Sequence, residues 1–178
     1  DLPYRRLAGA VEEAYAAGYF GERILGSGFS CDIVVYRGAG AYVAGEASGL
    51  ISSLEGKKSY PRNRPPRLTV KGLYQRPTVV NNVESLSNIA WIIANGAAAF
   101  KEVGTPKSPG TRLFSVSGHV NRPGVYEVEL GYPWMKFLDE DCGGIQGGRA
   151  IKCVVPGGVS SKVLTGADIA DLKLSHEA

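Results

Sequence analysis

The sequence predicts an α/β fold in two parts, a helix-and-strand segment followed by a small β-grasp of the ubiquitin-like kind. Three observations carry that expectation. Helix-period stripes alternate with short apolar runs through the first part of the chain. A Gly- and Pro-rich stretch, "GTPKSPG", interrupts the pattern at 104–110. Beyond it the apolar period changes to two, and the order reads strand, turn, strand, helix, strand.

Taken in order, "DLPYRRLAGAVEEAYAAG" reads as a helix. Asp1 stands where a cap is needed, Pro3 suits the first turn, Leu7, Val11 and Tyr15 share a face, and Gly18 ends it. "CDIVVYRG" reads as a short strand with little alternation, as expected of burial on both faces. "ASGLISSLEG" reads as a helix with Leu50, Ile51 and Leu54 on one face and Gly56 as its stop. In "NNVESLSNIAWIIANG", Asn81 and Glu84 stand in capping-box relation. Val83, Leu86, Ile89 with Ala90, and Ile93 form its stripe, and Gly96 is the natural stop. Phe114 and Val116 in "LFSVSG", and Tyr126, Val128 and Leu130 in "VYEVEL", alternate with polar residues around "HVNRPG", which predicts a β-hairpin. "PWMKFLDED" reads as a short helix and "AIKCVVPGG" as a further strand.

The bulk composition narrows the function classes. The chain has 178 residues, 44% apolar and 21% charged, the profile of a globular protein with its own core. No apolar run approaches the roughly 18 residues that cross a bilayer, so direct membrane insertion is not expected. The start Asp-Leu-Pro-Tyr, without Met or signal-peptide pattern, reads as that of a fragment or processed piece. Cys31, Cys142 and Cys153 lie far apart, without C-x-x-C spacing, so no metal or iron–sulfur site is expected and the thiols read as buried or inert. The net charge is only +3, but "KKSYPRNRPPRLTVK" holds six basic residues and no acid. Its prolines bar helix and central strand, which makes it a solvated, extended loop suited to an acidic neighbour. No nucleic-acid motif accompanies it, and no nucleic-acid partner is expected. His119 and His176 read as surface residues rather than catalytic bases.

The stretch "AYVAGEASGLISSLEG" places Gly45 and Glu46 where a strand-like run meets a helix. A glycine there commonly admits a phosphate, yet a first-turn glutamate already occupies the positive end of the helix dipole. The pair therefore leaves open which ligand, other than a phosphate, would lie against it. Asn81 and Asn82, at another helix start, supply both donors and acceptors. Each of these residues also reads as an ordinary helix-start residue.

Together, "GSGF", "RGAGAYVAGEASGLISSLEGKK", "PTVVNNVESLSNIAWIIANG", "SPGTRLFSVSGHVNRPGVYEVELG" and "VVPGG" resemble the NADH-binding flavoprotein subunit of respiratory complex I, a module shared with related NAD-linked hydrogenases and formate dehydrogenases. The resemblance covers nearly all of the chain in unbroken order. It implies that residues 1–107 are the later part of a Rossmann-like FMN-binding domain. Residues 108–178 would be the SLBB β-grasp domain and the start of the following linker. It also implies a flavin contact set of Tyr42, Gly45, Glu46, Val80, Asn81 and Asn82, with no catalytic side chain and no metal ligand. In the intact subunit, NADH would reduce FMN and electrons would pass to iron–sulfur clusters. The implied partners are NADH and the other subunits of a multi-subunit oxidoreductase, and the implied location is cytoplasmic, peripheral on the membrane through the complex.

The family's upstream loop, G-R-G-G-A-G-F, and its four downstream cysteines for a [4Fe–4S] cluster do not occur in these residues, so the piece alone is expected to be inactive. Where the family usually reads G-E-E, this chain reads Gly45-Glu46-Ala47, a change on the nicotinamide side of the site. A second reading follows from these departures: a non-catalytic β-grasp binding or assembly module beside a degenerate flavin site.

Overall fold

A computed structural model describes every residue except Ala39, Ala41, Glu177 and Ala178, and leaves out the side chain of Val159. Ala41, part of the Gly-Glu stretch, therefore lies outside the described residues. Internal contacts divide the chain into two compact units, Asp1–Val80 and Asn81–Ala178. The Gly- and Pro-rich 104–110 loop lies within the second.

The first unit opens with helix α1, Leu2–Ala16. Asp1 is its N-cap by position, but its side chain makes no capping bond and pairs with Arg37. Gly18, at φ +76°, ends the helix as expected. The "CDIVVYRG" strand does not form. Cys31 makes an isolated antiparallel bridge to Gly21, and 32–38 continue without a ladder. Tyr15 ties this segment to α1: its hydroxyl accepts from Ile33 N at 2.9 Å and donates to Asp32 Oδ1 at 3.0 Å. β-branched residues favour an extended backbone, but a strand also needs a neighbour to pair with, and among the described residues of this unit none is present. A 3₁₀ turn, Tyr42–Gly45, leads into α2, Ala47–Leu54, whose Ile51 is 1% exposed.

The second unit begins with α3, Val83–Glu102, which breaks at Gly96 (φ 88°, ψ 156°). Gly96 thus interrupts the helix, and 97–102 resume it. The N-cap is Asn82 rather than Asn81: Asn82 Oδ1 accepts from Glu84 N at 2.7 Å. Glu84 consequently does not reach back in a capping box; it accepts from Leu113 N at 3.2 Å and faces Arg112. The apolar stripe is present but open, with Val83 80% and Ile93 79% exposed.

The 104–110 loop is tightly bonded. Thr105 N donates to Ser108 O and Gly110 N to Val103 O, and Ser108 is buried. Gly104 sits at φ +91°, where a Cβ would come within 2.5 Å of Ser108 O, so only glycine closes this turn without strain. The predicted hairpin follows: β1, Thr111–Val116, pairs antiparallel with β2, Gly124–Glu129, with Phe114 opposite Tyr126. A second small sheet joins β3, Tyr132–Pro133, to β4, Lys173–Leu174. Between them lie α4, Trp134–Lys136, continued by a wider turn over Phe137–Asp141, and α5, Gly166–Ile169. "AIKCVVPGG" is not a ladder strand: Val154 makes only an isolated bridge to Leu164.

Val120, Val128, Phe137, Leu138, Cys142, Ile169 and Leu174 form the core of this unit. Phe137 packs edge-on against Tyr126, with ring centroids 5.5 Å apart. Cys142 is buried, and burial pushes its thiol pKa up. Cys31 and Cys153 are exposed, so of the three thiols only Cys142 is buried.

Candidate functional site

The 3₁₀ turn and the start of α2 present the Gly-Glu pair. Glu46 is the N-cap of α2: its Oε2 accepts from Ser48 N at 2.9 Å, from Gly49 N at 2.8 Å and from the Ser48 hydroxyl. Those bonds, the Ser48 hydroxyl first and then Gly49 N, hold its carboxyl below the ordinary glutamate range. One carboxylate oxygen is thus occupied by the helix start. The other, Oε1, lies 3.5 Å from Arg64 Nη2 on a partly exposed side chain.

Gly45 is exposed, and a Cβ added there would meet no atom within 4 Å. Tyr42 is 90% exposed and Val80 half-buried. Asn81 and Asn82 stand exposed at the start of α3. Among the described residues, the Asn81 side chain and Asn82 Nδ2 make no hydrogen bond, so both remain available to a ligand.

Taken unit by unit, the groups present are of kinds a flavin can use: in the first, an open glycine backbone that admits the plane of a ring and a carboxylate oxygen that accepts from N–H or hydroxyl groups; in the second, two amides that can serve carbonyls. Tyr42, Gly45, Glu46 and Val80 belong to the first compact unit, Asn81 and Asn82 to the second.

The residues that hold this junction escaped the sequence reading. Ser48, Ser52 and Glu55 recur on one face of α2 and grip the basic loop. Arg62 N donates to Ser48 Oγ at 2.8 Å, Arg62 Nε to Ser52 Oγ at 3.0 Å, and Arg62 Nη2 to Glu55 Oε2 at 2.9 Å. Glu55 also accepts from Lys57 Nζ at 2.7 Å and from Tyr74 N at 2.9 Å. The Lys57 bond first, then Tyr74 N and Arg62, hold its pKa at about 2 against burial. The acidic neighbour expected for the basic loop is therefore supplied in part by this chain itself. Polar residues at spacings of four and three on α2 were the available signal.

No helix among the described residues is long and apolar enough to cross a membrane. Nor do the described residues hold a group of three or more His, Cys, Asp or Glu arranged for a metal ion.

Comparison with known proteins gives three findings. Residues 3–91 match the Nuo51 FMN-binding domain and residues 112–178 match the SLBB domain. The chain is similar to the F subunit of the NADH-quinone oxidoreductase of Mycobacterium tuberculosis, 49% identical over 97% of this chain and 38% of that protein. It is also similar to one of the F subunits of Rhizobium meliloti NADH-quinone oxidoreductase, 46% identical over 90% of this chain and 38% of that protein. Among solved structures, an NAD+-reducing [NiFe]-hydrogenase in the air-oxidized state aligns with a TM-score of 0.71 and 43% identity, covering 79% of this chain and 24% of that one. The chain thus spans 38% of the length of these curated relatives.

Proposed function

The chain belongs to the Nuo51 FMN-binding domain family, and from that premise we propose that it is part of a flavoprotein subunit that oxidises NADH at FMN and delivers electrons to iron–sulfur clusters. The observation that carries this reading is the Gly45–Glu46 junction, an open backbone beside a carboxylate with one oxygen held by its own helix start and the other facing Arg64 on a partly exposed side chain. Bound FMN would supply the exchange between two-electron and one-electron chemistry. The chain's own residues then bind and orient. Gly45 lets a planar ring approach, Glu46 Oε1 accepts from a donor, and the Asn81 and Asn82 amides donate and accept. Tyr42, 90% exposed, and half-buried Val80 offer the ligand further surface. No side chain here is assigned a proton-transfer step, because hydride transfer between the two cofactors needs no protein base.

On the same reading, the division between the flavin part and the β-grasp falls between residues 107 and 108. The family matches end at residue 91 and begin at residue 112, an interval that contains this place, while the two compact units divide earlier, between Val80 and Asn81. The partners are NADH and the remaining subunits of an NAD-linked oxidoreductase, with a [4Fe–4S] cluster held outside these residues and a peripheral place on the cytoplasmic side.

A second reading, a binding or assembly module with a degenerate flavin site, draws on one observation. Glu46 Oε2 and Asn82 Oδ1 both have structural duties at helix starts, and those duties alone account for the two residues. The experiment is FMN retention by the intact subunit. Asn81→Ala and Asn82→Ser are expected to weaken FMN binding by about 1–3 kcal/mol each, the cost of leaving a buried polar ligand group unpaired. Serine is chosen at 82 because it keeps the helix cap, whose loss to alanine costs about 1 kcal/mol by itself. Unchanged FMN affinity in both variants returns these residues to capping and favours the second reading.

A further inference from the structure

The β-grasp unit contains a cavity of about 470 Å³ that the flavin reading does not use. Phe114, Leu130, Trp134, Leu164, Leu172 and Leu174 line it with apolar surface, and Arg112 and His176 add cationic and polar groups. No carboxylate lines it among the described residues. Its volume falls within the roughly 300–1,000 Å³ of small-ligand sites.

The polar side has a definite geometry. Arg112 Nη1 lies 3.1 Å from His176 Nδ1, and Arg112 Nε lies 3.6 Å from Glu84 Oε2. Nη2 has no partner among the described residues. The guanidinium is therefore held from two sides with one donor group left over. Nη2 belongs to a permanently charged group and offers its N–H groups to a carboxylate oxygen. A phosphate would call for more donors than this site presents, since no lysine or second arginine lines it.

We propose that this cavity binds a small amphipathic carboxylate, with its anionic head on the Arg112 guanidinium and its apolar body against Trp134, Leu164 and Leu172. Arg112 gives the site its selectivity for an anion, and the leucines give it capacity for an acyl or aryl body. Each part contributes a separate readout.

The test titrates 2-naphthoate, and 2-naphthylmethanol as its uncharged counterpart, into the ¹⁵N-labelled 178-residue chain. Naphthoate is expected to shift the amide signals of Phe114, Leu130, Leu172 and Leu174 saturably, and the alcohol to bind at least about tenfold more weakly, as a charge-assisted pair requires. Arg112→Gln should bring naphthoate down to the affinity of the alcohol. Leu164→Trp fills the cavity and should abolish the shifts with both compounds. Equal affinity for acid and alcohol, naphthoate binding unchanged in Arg112→Gln, or shifts confined to other residues would each overturn the proposal.

Discussion

Phe137→Ala is expected to cost the second unit about 3–5 kcal/mol, the range for deleting a buried aromatic side chain. Phe137 is 1% exposed and sits at the centre of the β-grasp core, with Phe114 and Tyr126 packed on its ring. Its backbone carbonyl also accepts from Cys142 N at 3.0 Å, so the same residue anchors the turn that follows α4. A domain of this size has about 5–15 kcal/mol of stability in all, so the substitution removes a large share of it. The measurement is urea unfolding followed through the amide signals of residues in β1 and β2. Val125→Ala is the control: Val125 faces outward on β2 and is exposed, and surface changes of this kind stay within about 0.5 kcal/mol. A difference of less than about 1 kcal/mol between the two variants would show that Phe137 is not the centre of this core.

The residues around Phe137 were also the most legible part of the sequence. Phe114, Val116, Tyr126 and Val128 alternate with polar residues, and a period-two pattern fixes both the strands and the face they bury. The helix stops at Gly18, Gly56 and Gly96 were legible for a related reason, since each sits at positive φ, which disfavours other residues. Where the reading failed, the missing information was a partner. Periodicity identifies Val83, Leu86, Ile89 and Ile93 as one face of α3, but it does not state what covers that face, and the structure leaves it open.

"CDIVVYRG" and "AIKCVVPGG" are rich in β-branched residues, a preference for extended backbone that becomes a strand only beside another. β3 and β4 are too short to show any period. At the candidate site, the Gly45–Glu46 junction was visible as a local pattern, and so was the pair of asparagines, although the cap fell one residue later than expected. The Ser48–Ser52–Glu55 grip on Arg62 was not, because it exists only once the basic loop folds back on α2.

That grip leads to a pH-dependent expectation. Glu55 has a 3% exposed side chain, and the Lys57 ammonium, Tyr74 N and the Arg62 guanidinium lower its pKa from 4.5 to about 2. A carboxyl with a depressed folded pKa binds its proton more readily in the unfolded chain. Its stabilisation is therefore complete above about 4.5 and is lost as the pH falls through about 2. The native chain should hold the basic loop at pH 7 and weaken only across that acidic window. Glu55→Gln removes the charge at every pH but keeps the size and one acceptor oxygen, so it should be less stable at pH 7 and change less between pH 4.5 and 2. Arg62 would then lose its strongest anchor and Tyr74 N its charged acceptor, and the loop should open more often. Cleavage by trypsin after Arg62 reads this directly at neutral pH, because proteolysis follows the population of the open form. The expected result is faster cleavage in Glu55→Gln, with Glu12→Gln on exposed α1 unchanged. Equal cleavage rates together with parallel acid-unfolding profiles would show that Glu55 does not hold the loop.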